Sequence, residues 1–162
     1  MSISFSGNEL INIAIDIERR GIAFYDVMTK STGSTEAKEV FQRLADMERE
    51  HMQIFHGMLS QAEKYQPVES YSGEYEAYLQ SLVDSAVFSD DLVTSELASQ
   101  AENDIEAMEL AINAEKDSIL FYHEMKDIMP RRAQPTVDRI LAEEKSHLQE
   151  LARIKKLLAG RS

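Results

Sequence analysis

Glu48 and His51, in the run LADMEREHMQIF, stand three residues apart, a spacing that puts both side chains on one face of a helix. That face is also apolar, since Phe41, Leu44, Ala45, Met52 and Phe55 lie one or two turns away. Glu144 and His147 repeat the pair in RILAEEKSHL, with Val137, Ile140, Leu141, Leu148 and Leu151 around them. Two further glutamates sit in stripes of the same kind. Ile11, Ala14, Ile15, Gly21, Ile22 and Tyr25 surround Glu18; Met108, Ala111, Ile112, Ser118, Ile119 and Tyr122 surround Glu115. A carboxylate moved from water into an apolar interior must be protonated, paired with a cation or bound to metal, because bare desolvation is too costly. The stripes hold no Lys or Arg near these positions. Four carboxylates and two imidazoles make six protein ligands, enough for two divalent ions bridged by carboxylates. Oxygen-rich donors with one imidazole per metal suit iron or manganese.

Other candidates weigh less. A single Glu-x-x-His pair means little by itself, and Glu50 faces Arg43, Asp46 and Gln53, an ordinary solvated surface. His56 and His123 lack the apolar setting and read as structural or surface residues. Tyr25 and Tyr122 lie two turns after Glu18 and Glu115 on the same faces. Packing is their default role, with a hydrogen bond to a ligating carboxylate as the alternative. The eight Met read as core filler rather than ligands.

Four long helical patterns would position the six residues. The first opens at Ser6, with Glu9 as a capping-box partner, and runs to about Lys30. The second runs from about Glu36 to Tyr65, before Pro67; the third from about Ala101 to Met129, before Pro130; the fourth from about Pro135 to Ala159, before Gly160. The connection 66–100 is long enough to cross the length of a bundle. Within it, YEAYLQSLVDSAVF predicts a short amphipathic helix with Tyr75, Tyr78, Leu79, Leu82 and Ala86 on one side.

The chain also repeats itself. AIDIERRGIAFYDVM (14–28) aligns with AINAEKDSILFYHEM (111–125) at an offset of 97, and RLADMEREHM (43–52) with RILAEEKSHL (139–148) at an offset of 96. One helical hairpin is therefore echoed by another. Glu18 and Glu48 each lie fifteen residues from Gly33, while Glu115 lies fifteen before Pro130 and Glu144 fourteen after it. Equal distances from a hairpin turn mean equal heights along the axis, so docking the hairpins brings all four carboxylates to one level. The expectation is an all-α four-helix bundle of two duplicated hairpins, folding as one domain over 1–162.

Composition narrows the function classes. A net charge of −12 argues against a nucleic-acid partner. No run approaches the apolar length of a membrane span, and MSISFSGNELINIAIDIERR lacks the basic start of a signal peptide. The absence of Cys excludes disulfides and thiolate-held metal and fits a cytoplasmic protein.

The motifs AIDIERRGIAFY, LADMEREH, AINAEKDSILFY and LAEEKSH together resemble the ferritin-like di-iron carboxylate proteins, and among them the rubrerythrins. The resemblance implies Glu18, Glu48, His51, Glu115, Glu144 and His147 as ligands of two iron ions, with manganese or a mixed pair as alternatives. It further implies Glu48 and Glu144 as the bridging pair and a site-contacting role for Tyr25. Two departures stand out. Rubrerythrins usually carry a rubredoxin-type centre held by four Cys, so this chain would need an external electron donor such as a rubredoxin. The family also tends to carry a further Glu where Ser118 stands. The expected activity is oxidoreduction of hydrogen peroxide or dioxygen by a homodimer. The alternatives are Fe(II) oxidation and storage of the ferritin kind, or a helical scaffold with an inactive site.

Overall fold

Backbone hydrogen bonding in the computed structural model, which describes residues 7–59 and 73–160, yields six helices and no strand among those residues. They are α1 (Gly7–Ser31), α2 (Thr35–Leu59), α3 (Gly73–Asp84), α4 (Asp91–Gln100), α5 (Asp104–Ile128) and α6 (Gln134–Ala159). The four long ones match the four sequence patterns. The capping box at Ser6 and the stretch after Leu59 lie outside the described residues.

Local chemistry sets the observed boundaries. Ser34 Oγ accepts from the Ala37 amide at 3.2 Å and so caps α2. Asn103 caps α5 in the same way, accepting from the Glu106 amide at 2.9 Å. Pro135 occupies the first turn of α6, where a missing N–H costs nothing. Gly160 ends α6 with an ordinary φ of −72°, so it supplies no left-handed cap.

α1 packs along α2 and α5 along α6; the two hairpins then dock with α1 against α5 and α2 against α6. The core falls into two apolar clusters. One joins Leu10, Ile11 and Phe55 to Met125, Met129 and Val137, at the end of the bundle where α5 turns into α6. The other joins Met28, Ala37 and Val40 to Ala107, Met108 and Ile154, at the end where α1 turns into α2. The duplicated hairpins therefore lie antiparallel, and the chain between α2 and α5 has to run the length of the bundle.

That crossover departs from expectation in two ways. Its described residues hold two helices rather than one, α4 having no counterpart in the sequence pattern. Asp90 caps α4 by accepting from the Val93 amide at 2.8 Å, and only Thr94 and Ala98 of α4 are buried. In α3, Leu79 is fully buried but Tyr78 is exposed, so the apolar side is narrower than the spacing implied. The side chain of Tyr75 lies outside the described residues. Arg19 ties the crossover to α1 through Asp91 at 2.8 Å, and the Val87 amide ties it to α5 through Asp117 at 2.8 Å.

Candidate metal centre

Between the two apolar clusters lies a polar layer. Glu18, Glu48, His51, Glu115, Glu144 and His147 are all 3% exposed or less, and they come from α1, α2, α5 and α6. The structure brings together all six residues singled out in the sequence. Their donor atoms form two overlapping groups, each within 4.8 Å: Glu18, Glu48, His51 and Glu144 in one, Glu48, Glu115, Glu144 and His147 in the other. Glu48 and Glu144 belong to both. Each group has three carboxylates and one imidazole, a donor set that could hold one divalent ion.

Both histidines aim Nδ1 inward. His51 Nδ1 is 3.0 Å from Glu48 and 2.8 Å from Glu144, and 3.7 Å from Glu18. His147 Nδ1 is 3.4 Å from Glu48, 3.6 Å from Glu144 and 3.7 Å from Glu115. The rings stack with centroids 5.7 Å apart. Nearness does not satisfy the layer, however. Among the described residues, Glu115 Oε2, both Glu144 oxygens and His147 Nδ1 have no partner at hydrogen-bonding geometry, although each is buried. Groups of this kind are rare in a finished core and call for an explanation.

Charge regulation reports the same frustration. Burial, followed by the charges of Glu144 and Glu18, pushes the Glu48 carboxyl well above its usual range. Burial and then the charges of Glu115 and Glu18 raise Glu144 to about 8. Burial acts on Glu115 in the same sense, but contacts with Glu144 and His147 outweigh it and lower the group to about 2. Burial alone would depress His147; its contacts with Glu115, Glu144 and Glu48 reverse that and raise it to about 12. For His51, burial is likewise outweighed by Glu144, Glu18 and Glu48, and the imidazole is held strongly protonated. In the absence of metal, the imidazoliums and shared protons supply the positive charge that four buried carboxylates need.

The tyrosines cross over between hairpins. The Tyr25 hydroxyl of α1 donates to Glu115 Oε1 of α5 at 2.5 Å, and the Tyr122 hydroxyl of α5 donates to Glu18 Oε1 of α1. Each binds the glutamate of the other repeat, so the layer is closed by one tyrosine from each apolar cluster. Sequence spacing put each tyrosine on the face of its own helix's glutamate, and only docking reveals the exchange. Burial, then the neighbouring carboxylate charge, raises both phenols well above their ordinary value, so they remain donors.

Two contacts were missed in the sequence. His51 Nε2 lies 2.6 Å from Glu143 Oε2, and His147 Nε2 lies 3.3 Å from Met47 Sδ. Both partners immediately precede a glutamate of the layer, a place that in the sequence reads as flank. A cavity of about 50 Å³ also reaches the layer, bordered by Glu18, Glu48, Glu115, Gly21, Ser118 and Phe121. His56 and His123 are exposed and take no part.

Among the described residues no helix is long and apolar enough to cross a membrane. A comparison with curated proteins returned no match. A solved 2.30 Å crystal structure from Thermotoga maritima, of a protein assigned as a ferritin-like diiron-carboxylate protein, superposes with a TM-score of 0.69 at 32% identity, covering 93% of this chain and 95% of that one. The rubrerythrin family model matches residues 9–155, a span that contains all six residues of the polar layer and both tyrosines. With the paired motifs meeting in one buried layer of a ferritin-like bundle, the chain belongs to the rubrerythrin family.

Proposed function

We propose that the chain is a di-iron oxidoreductase that reduces hydrogen peroxide or dioxygen with electrons from a separate donor. The observation that carries this reading is the set of buried, unpartnered donor atoms on Glu115, Glu144 and His147. A pair of divalent cations would satisfy these atoms together and replace the shared protons as the positive charge that the four carboxylates need. In this reading Glu18, Glu48, His51 and Glu144 would hold one ion and Glu48, Glu115, Glu144 and His147 the other, Glu48 and Glu144 belonging to both sets. Two ions cycling between ferrous and ferric would supply the two electrons that break an O–O bond.

The chain's own residues do the rest. The two apolar clusters keep bulk water from the layer on both sides. Tyr25 and Tyr122 fix the outer carboxylates and each keep a proton on the phenolic oxygen beside them. The cavity beside Gly21 and Ser118 gives a small oxidant a route to Glu18, Glu48 and Glu115. The chain has no Cys and hence no rubredoxin-type centre of its own, so the oxidised site must be re-reduced from outside.

The test is a stopped-flow titration of anaerobically Fe(II)-loaded protein with peroxide. Cleaving peroxide to water takes two electrons and two protons, so about one peroxide should be consumed per loaded site, and reaction should then stop until a donor such as a rubredoxin is added. Sustained oxidation of added Fe(II), with iron retained far beyond the two groups, would replace this reading by iron storage. Failure to bind metal would leave a helical scaffold.

A further inference from the structure

Internal duplication lets each position in the layer be compared with its counterpart. Glu18 with Glu115, Glu48 with Glu144, His51 with His147 and Tyr25 with Tyr122 match in type, in their places in the two donor groups and in the tyrosine-to-glutamate exchange. The outer partners of the two histidines break the match. Met47 and Glu143 correspond at the same offset of 96 that relates Glu48 to Glu144. Each reaches across to the outer nitrogen of the other hairpin's histidine, and there the chemistry differs. His51 Nε2 meets a carboxylate at 2.6 Å, whose other oxygen lies 3.9 Å from Arg139. Among the described residues, His147 Nε2 meets a thioether at 3.3 Å and no carboxylate.

A carboxylate accepting the outer N–H does two things to an imidazole. It fixes the tautomer, leaving the lone pair on the inward Nδ1, and it makes that nitrogen a stronger donor to a metal. A thioether sulfur is a weak acceptor and does little of either. We infer that Glu143 is a positioning residue, and that the lack of its counterpart at Met47 makes the two ion positions unequal, the one at His51 binding a divalent cation more tightly and filling first. The inference rests on the di-metal reading of the layer. Outer partners of ligating histidines commonly change affinity by about 10–100-fold, which sets the expected gap between the two steps.

The experiment is a titration of metal-free protein with Co(II), followed by calorimetry and by visible ligand-field absorption. Crystals grown at one Co(II) per chain are then measured at the cobalt edge. Two binding steps separated by about tenfold or more are expected, with cobalt concentrated beside His51 in the crystal. Glu143→Gln, which keeps the shape but not the charge, should weaken the first step by about tenfold and the second much less. Met47→Glu should tighten the second step and draw the two together, while Met47→Leu should leave both in place. Helix content by circular dichroism checks that each variant is folded. Equal occupancy at one equivalent, cobalt gathered beside His147, or variants that move both steps alike would overturn the inference while leaving the di-metal reading intact. A chain that takes up no cobalt would overturn both.

Discussion

The α1–α2 and α5–α6 hairpins are two versions of one design, and they agree inside and differ outside. Four glutamates, two histidines and two tyrosines match across the repeat and are all nearly inaccessible. The differences gather at the margin: Gly21 against Ser118 beside the cavity, and Met47 against Glu143 over the histidines. The contrast is physical. Removing one member of a buried charge cluster strands the others, a loss of several kcal/mol, so the inner set must persist together. Met47 and Glu143 are partly exposed, and solvent can take over from either. Divergence at the margin lets two similar halves do unequal work around a common centre.

The comparison is broken most severely at the shared carboxylates. Glu48→Gln or Glu144→Gln should abolish binding of both ions, whereas Glu18→Gln and Glu115→Gln should each spare the other hairpin's ion. Metal content after anaerobic loading measures this, and a symmetric loss in all four variants would contradict the two-group arrangement.

Acid and base should separate the metal-free layer from the loaded one. Glu115, lowered from 4.5 to about 2, binds fewer protons folded than unfolded, so its contribution grows as pH rises from about 2 to 4.5. Glu144 is raised from 4.5 to about 8 and binds more protons folded, so its contribution falls over that window. His147, raised from 6.5 to about 12, is protonated in the fold and adds to the decline above 6.5. Chelated protein should therefore lose thermal stability between pH 5 and 8, and metal should offset the loss. Each ion present at about one hundred times its Kd should add roughly 5–10 °C to Tm. Melting curves with and without chelator at both pH values check it.

A smaller effect sharpens the match between halves. Tyr25→Phe and Tyr122→Phe each remove a hydrogen bond to a buried carboxylate, worth roughly 1.5–3 kcal/mol, and the two losses should be nearly equal. Denaturant unfolding of the two variants measures them side by side, and a large difference would show that the tyrosines are not equivalent.

Gly21→Ala should have the smallest effect and the opposite sign. The added Cβ would lie 3.9 Å from Glu48 Cγ, an ordinary contact, and Ala favours a helix interior by up to about 1 kcal/mol over Gly. A modest rise in the denaturation midpoint with unchanged metal content is expected.

The inner set was legible in the sequence because periodicity and turn distance fix both the face and the height of a residue on a long helix. Tyr25 and Tyr122 were half-legible: their faces were readable, but their partners depend on how the hairpins dock. Met47 and Glu143 were not, since a residue beside a core position reads as flank until another helix supplies its partner. The crossover was the weakest reading. DLVTSELASQ leaves Leu92 exposed and buries only Thr94 and Ala98, so no apolar stripe announces α4. Tyr78 fitted the periodicity of α3 but lies outside its contact with the bundle, where Leu79 makes the buried anchor.

The central claim is that the six inner side chains form one centre for two ions. A crystal structure of protein loaded anaerobically with Fe(II), measured at the iron edge, tests it directly. The account predicts two anomalous peaks per chain within the layer, one beside His51 and one beside His147, both in contact with Glu48 and Glu144. Iron held elsewhere on the chain, or a layer that stays without iron while its carboxylates keep their protons, would contradict it.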